Sequence, residues 1–246
     1  MNRATANSCV IIPTYNNAGT VCDVAARAVA QDYPVIVVND GSTDDTAARL
    51  AQSGLPLTVL THPRNRGKGI ALRTAFSHAR TQGFRYAITL DADGQHYPED
   101  IPVLVAALAQ HPGALVVGSR NLQAENMPGG NSFANRFSNF WFRVQTAQSL
   151  PDTQTGYRAY PLDRLPSLRI LTSRYEAELA LLVFSAWKGI KLVPVAIRVS
   201  YPEDRVSSFR PFRDFARISV LNTFLCVLAL VYGYPRMIIH HLFRKK

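Results

Sequence analysis

Acidic side chains are scarce: 17 Asp and Glu stand against 27 Lys and Arg in 246 residues, a formal net charge of +10. That balance implies an anionic partner, with nucleic acid, acidic lipid and a phosphorylated substrate all qualifying. Cysteine is scarce too. Cys9, Cys22 and Cys226 are odd in number and form no CxxC, which excludes a disulfide framework and predicts free thiols in a reducing compartment. Met1 to Ser8 has no apolar run, so no cleavable signal peptide is expected. No GxxxxGK[ST] loop is present, which disfavours ATPase or kinase chemistry. No internal repeat, low-complexity tract or recognised nucleic-acid motif occurs, so nucleic acid is the weaker candidate partner and none is expected. The remaining composition, 47% hydrophobic and 18% charged, suits one large globular domain or a domain with a small appendage.

What is present is alternation. Apolar runs at Cys9–Ile12, Val35–Val38 and Tyr86–Leu90 read as buried strands, and Leu57–Leu60 and Ala114–Gly118 as two further strands. Helical spacing separates them at Thr20–Ala30, from a Ser42 cap to Gln52, at Lys68–Gln82 and at Pro98–Gln110. The pattern predicts an α/β fold, a Rossmann-like, mostly parallel sheet with helices on both faces. Asn121–Gly130 reads as a mobile loop over the site. Helices are expected at Ser132–Ser149 and Ser173–Trp187, and a strand at Ile190–Val199. Phe133, Phe137, Phe140, Trp141 and Val144 form an aromatic stripe better suited to core or interface than to a cofactor.

In such a sheet, ligands bind outside the carboxyl ends of the strands, and this is where the polar motifs fall. Pro13-Thr14-Tyr15-Asn16 follows the first strand, Asn39-Asp40-Gly41 the second and Asn65-Arg66-Gly67-Lys68-Gly69 the third. Asp91-Ala92-Asp93-Gly94-Gln95 follows the fourth and Ser119-Arg120 the fifth. A Tyr15 ring and an Asp40 carboxylate could stack on and hydrogen-bond a nucleoside. Gly67-Lys68-Gly69 brings backbone N–H groups and a cation to a helix N-terminus, an arrangement suited to phosphate. Asp91 and Asp93, at i and i+2 of an extended segment, point the same way and can converge on one hard cation. A solvated Asp-x-Asp-Gly turn is the alternative, and the converging neighbours favour the cation.

These motifs, in this order, resemble a family 2 glycosyltransferase of the GT-A fold. Gly118-Ser119-Arg120 and Asp152-Thr153-Gln154-Thr155-Gly156-Tyr157-Arg158 resemble the branch containing dolichyl-phosphate mannose synthase and bacterial polyprenyl-phosphate glycosyltransferases. The match runs over about residues 8 to 217. The resemblance implies inverting, single-displacement transfer of a sugar from a nucleotide-sugar to a lipid-linked acceptor. Pro13, Thr14, Tyr15, Asn16, Asp40 and Gly41 would hold the nucleoside end, with Asn65, Gly67 and Lys68 nearby. Asp91, Asp93 and Gln95 would bind Mg²⁺ or Mn²⁺ at the diphosphate, with Ala92 between them. Ser119 and Arg120 would face the acceptor phosphate or the diphosphate. Arg205, Ser207 and Ser208 would belong to a loop over the phosphates. Asp152, Glu176 and Glu178 are candidates for a general base, although an ionised lipid phosphate needs none. Glu176 and Glu178, two apart on a helix, cannot both face the site, and one could instead pair with Arg174 or Lys188.

The C-terminus differs in kind. Ile218–Tyr234 is almost wholly apolar, relieved by Ser219, Asn222, Thr223 and Gly233, and Pro235 should end it. Arg205, Arg210, Arg213 and Arg217 precede it, and Arg236, Arg244, Lys245 and Lys246 follow. Basic residues on both flanks suit a helix lying in the anionic inner leaflet at the cytoplasmic face better than one crossing it. A buried core helix and a homo-oligomer contact are the alternatives. The expected division is a catalytic domain over 1–215 and a membrane-associating helix and basic tail over 216–246. Polyprenyl-phosphate relatives carry two transmembrane helices where this chain has one apolar stretch, so another membrane lipid or glycan hydroxyl stays open as acceptor. A nucleotidyltransferase and a non-catalytic membrane adaptor are the other readings.

Overall fold

A computed structural model describes residues 7–120, 129–166, 176–200 and 211–243. The apolar runs assemble into one sheet. Its strands are β1 (Ser8–Thr14), β2 (Val35–Asn39), β3 (Leu57–Thr61), β4 (Tyr86–Thr89), β5 (Leu115–Arg120), β6 (Arg158–Pro161) and β7 (Leu192–Ile197), in the order β3-β2-β1-β4-β6-β5-β7. β1 is parallel to β2 and β4, β2 to β3, and β5 to β7. Only β6 runs antiparallel, against both β4 and β5.

The helices are α1 (Val21–Val29), α2 (Thr46–Gln52), α3 (Lys68–Thr81), α4 (Ile101–Gln110), α5 (Gly129–Thr146), α6 (Glu176–Trp187), α7 (Pro211–Leu228) and α8 (Tyr234–Phe243). Alternate strand residues feed two cores, as the two-residue period of a strand requires. Cys9, Ile11, Ile36 and Val38 pack with Ala71, Leu72 and Phe76 of α3, and with α6 and α7. Val10, Ile12, Val35 and Val37 pack on the other face with Val24 and Ala28 of α1 and Leu104 and Leu108 of α4. The expected doubly covered, mostly parallel sheet is therefore what forms.

Two features of the topology place the site. β1 lies between β2 and β4, so the chain departs from it in both directions and opens a crevice at their carboxyl ends. β6 is antiparallel, so it begins where β4 and β5 end. The segment that precedes it, Asp152 to Tyr157, is therefore delivered to the ends of both. Arg158, fully buried, fastens that segment: its guanidinium donates to the carbonyls of Thr153 and Glu178 and to the Tyr160 hydroxyl.

Several expectations change. α2 starts at Thr46, with Asp45 rather than Ser42 at its cap. The Ser42 hydroxyl accepts the Asn16 N–H and the Thr43 N–H goes to Asn16 Oδ1, so these polar groups hold the β1–α1 turn instead. Pro235 does not end the C-terminal helix. A π turn over Ala229–Gly233 links α7 to α8, and Pro235 sits in the first turn of α8, its fixed φ compatible with the helix. The aromatic stripe is not a core face: Phe137 and Trp141 are half-buried and Phe140 and Val144 exposed, whereas Phe142, outside the stripe, is buried. Of the loop expected over the site at 121–130, residues 129 and 130 begin α5 and the rest lie outside the described residues, as do Arg205, Ser207, Ser208 and the Glu176 side chain.

Candidate active site

The residues after β1 and β2 form the first wall. Thr14 is buried, and Tyr15 turns its ring outward at 42% exposure, open for stacking. Asn16 adopts φ 56°, a left-handed conformation that Asn tolerates. Asp40 behaves differently from the expectation of a carboxylate open to a nucleoside. It is 3% exposed and accepts the backbone N–H groups of Arg66 and Gly67, the latter at 2.7 Å. Its Oδ1 also lies 2.6 Å from His62 Nδ1, and His62 Nε2 lies 3.0 Å from Thr74 Oγ1. Asp40 thus shapes the turn from Asn65 to Gly67 that opens α3, with Gly41 following it on the rim. His62 and Thr74 were not foreseen from the sequence. A histidine one residue beyond a strand end is the only trace they leave there.

Lys68, first residue of α3, sends its ammonium across the crevice rather than outward to solvent. It lies 2.5 Å from Asp91 Oδ1 and 2.8 Å from Glu178 Oε2. Burial alone would lower its pKa, but the two carboxylates more than offset that and hold the ammonium charged. The Asp91 carboxyl, which burial would raise, is held below the usual range chiefly by Lys68. The room for this pair comes from Gly156: a Cβ there would stand 2.7 Å from Asp91 Oδ2 and 2.8 Å from Lys68 Nζ. The Ala92 carbonyl accepts the Thr20 hydroxyl at 2.6 Å, which fixes the turn. Asp93 stays at the surface, and its Oδ1 accepts the Gln95 N–H.

The third group lies at the end of β5. Asp152 is fully buried, and Arg120 grips it through Nε at 2.6 Å and Nη2 at 3.0 Å. The N–H groups of Arg120, Gln154 and Thr155 also point at its oxygens. Burial would raise the Asp152 carboxyl, but Arg120 and these amides hold it below the ordinary range. Ser119 and Arg120 line a groove of about 280 Å³ with Pro151, Pro194, Val195, Ala196 and Ile197. His96 lies beside this assembly, its ring packed at 5.2 Å from that of Tyr157. Of the residues expected in the site, Lys68 meets Asp91 and Glu178, Arg120 meets Asp152, and Asp93 lies at the surface of the turn that follows Asp91. The sequence did not reveal His96, Gly156 or the Lys68 bridge.

The donor set at 91 and 93 suits a hard divalent ion, because carboxylate oxygens are what Mg²⁺ and Mn²⁺ take. Among the described residues no group of three or more His, Cys, Asp and Glu could hold a metal ion. An ion held there would have at most two protein carboxylates, one of them already paired with Lys68, and would need an amide and substrate phosphates to complete its shell, as Mg²⁺ commonly does.

A mostly parallel seven-stranded sheet with a switch-point crevice and polar side chains gathered at its strand ends defines a GT-A-like fold. The chain belongs to glycosyl transferase family 2, whose sequence profile matches residues 9–160. It is 27% identical over 215 residues to the UDP-N-acetylglucosamine–dolichyl-phosphate N-acetylglucosaminyltransferase of Methanococcus voltae, spanning 79% of this chain and 86% of that protein. It is 29% identical over 198 residues to the undecaprenyl-phosphate mannosyltransferase of Micrococcus luteus, spanning 76% and 81%. Its fold is shared with glucosyl-3-phosphoglycerate synthase from Mycobacterium tuberculosis, crystallised with Mn²⁺, UDP-glucose and phosphoglyceric acid. That match has a TM-score of 0.64 at 21% identity and covers 94% of this chain and 81% of that one. The protein is a glycosyltransferase.

Proposed function

We propose that the protein moves a sugar from a UDP- or GDP-sugar to the phosphate of a polyprenyl phosphate, with inversion, at the cytoplasmic face of a membrane. The observation that carries this reading is the state of Asp152 and Glu178, the two candidate bases whose side chains are described. Asp152 is fully buried with both oxygens committed to Arg120 and backbone amides, and its carboxyl is held below the ordinary range. Glu178 is tied to Lys68. Neither suits the task of taking a proton from a hydroxyl, which needs a base within about 2.6–3.2 Å of that proton's oxygen and a pKa near the working pH. An acceptor phosphate is already ionised. Its oxygen attacks the anomeric carbon as the bond from that carbon to the nucleoside diphosphate breaks.

The chain's residues have distinct duties in that displacement. Tyr15 stacks on the nucleoside, while Asp40 takes the Arg66 and Gly67 N–H groups and so sets the turn that opens α3. Asp152 positions Arg120, whose guanidinium meets the acceptor or donor phosphate. Asp91 and Asp93, with Gln95, would hold Mg²⁺ or Mn²⁺. The ion, when bound, supplies Lewis-acid stabilisation of charge on the leaving diphosphate. Residues 1–215 act as the catalytic domain, and 216–246 attach it to the membrane surface.

The test is to incubate the full-length protein with labelled UDP- and GDP-sugars and either a polyprenyl phosphate or the matching polyprenol. Label should enter the organic phase with the phosphate and not with the alcohol. Transfer should fall at least a hundredfold in Asp93→Ala or with chelator. Transfer to the alcohol would reject the phosphate acceptor in favour of a hydroxyl, and undiminished transfer under chelation would reject the metal. In a parallel reaction given a nucleoside triphosphate and a sugar phosphate instead, release of inorganic diphosphate would point to nucleotidyl transfer.

A further inference from the structure

Lys68 ties two carboxylates that come from opposite walls of the crevice, Asp91 after β4 and Glu178 on α6. Asp91 is one of the two carboxylates given to the cation above, yet it is already neutralised from within the fold. Glu178 is no ordinary counter-ion. Its Oε2 holds Lys68, and its Oε1 is buried with no hydrogen-bond partner among the described residues. A carboxylate can accept on both oxygens and an ammonium carries three donors, so Glu178 has spare capacity for the same lysine. Gly156 leaves the ammonium and Asp91 pressed against bare backbone, with no side chain between them.

We propose that Lys68 is a displaceable counter-cation of the metal site. It neutralises Asp91 until a divalent ion takes that carboxylate, and Glu178 then retains it. This makes Glu178 a positioning residue and removes it from the candidate bases. Without Lys68, Asp91 and Glu178 would be two buried like charges facing one another, which folding tolerates poorly. With it, a bare metal ion must displace a positive charge to bind. A donor diphosphate brings anionic oxygens that attract both cations, so nucleotide and metal favour each other's binding beyond their direct contact. The inference rests on the assignment of Asp91 and Asp93 to the metal.

The test measures Mn²⁺ affinity directly, by the electron paramagnetic resonance signal of free Mn²⁺, on full-length protein without nucleotide. Lys68→Gln should bind Mn²⁺ roughly tenfold more tightly than wild type and Glu178→Gln roughly tenfold more weakly, the scale of a modest coupling between sites. General damage to the fold would weaken both, so the opposite directions are diagnostic. A folded Lys68→Gln protein with unchanged or weaker affinity, or a Glu178→Gln protein with unchanged or tighter affinity, overturns the proposal. Should Lys68→Gln not fold, the Glu178→Gln protein decides alone. A wild type that binds no Mn²⁺, or an Asp93→Ala variant that binds it equally well, overturns the metal assignment itself and the inference with it.

Discussion

His96 shows how a single side chain ties the site to pH. It is 7% exposed, and its Nδ1 meets no hydrogen-bond partner among the described residues. Burial is the main cause that drives its pKa down to about 4, with Asp91 pulling the other way. An unfolded chain would titrate the same imidazole near 6.5. Between those values the unfolded state binds the proton and the native state does not, so stability rises with pH across the window. The contribution is complete above about pH 6.5 and lost as pH falls toward 4, on the order of 3 kcal/mol. Urea midpoints at pH 7.5 and pH 5 should therefore converge in His96→Asn relative to wild type. An equal drop in both proteins would sink the assignment. At this scale the sequence exposed the identity of site residues better than their partners. Arg120 stood out because Ser119-Arg120 follows an expected strand, and Asp152 because the run Asp152–Arg158 resembles a family motif. Their mutual grip, and that of Asp40 on His62, joins loops remote in sequence, which local pattern cannot show.

At the scale of elements, the strands read most clearly were the buried, β-branched ones on the parallel side of the sheet. β6 was not read as a strand at all. Its four residues Arg158-Ala159-Tyr160-Pro161 carry a charge at one end and a proline at the other, and neither alternate nor form an apolar run. Only the pairing with β4 and β5 makes it a strand, and that pairing is what carries Asp152 and Gly156 into the site. The C-terminal helix was legible as apolar and not as docked. Leu221, Leu225 and Ala229 are buried against the domain, and Gln145 Nε2 donates to Asn222 Oδ1 at 3.0 Å across the α5–α7 contact. At Gly233, in the π turn, a Cβ would lie 2.4 Å from the Trp187 ring, whose Nε1 donates to the Gln145 carbonyl. Gly233→Ala should therefore destabilise the protein by about 1–3 kcal/mol, the usual range for forcing a methyl group into a filled space. A chemical-denaturation midpoint within about 0.5 kcal/mol of wild type, the usual size of a surface change, would contradict this packing.

Over the whole molecule, the C-terminal helices present two unlike sides. Leu221, Asn222, Leu225, Ala229 and Gly233 face the domain, while Val220, Phe224, Val227, Leu230, Val231, Ile238, Ile239 and Leu242 are exposed. Ser219–Ile239 is 21 residues with a mean hydropathy of 1.4, long and apolar enough to cross a bilayer. A spanning helix would have to leave the domain, uncovering Leu225 and Ala229 and separating Asn222 from Gln145. Lying along the interface keeps that dock intact and buries the exposed row in the acyl boundary, with the net charge of +10 favouring an anionic leaflet. Full-length protein should therefore sediment with vesicles containing anionic lipid. Leu230→Glu with Val231→Glu should release it at least tenfold while leaving the thermal midpoint within a few degrees of wild type. The vesicle-bound protein should also keep both ends of the helix open to protease added outside. Protection of the residues after Phe243 would instead mean that the helix crosses, and binding unaffected by the two acidic substitutions would move the membrane contact elsewhere on the molecule.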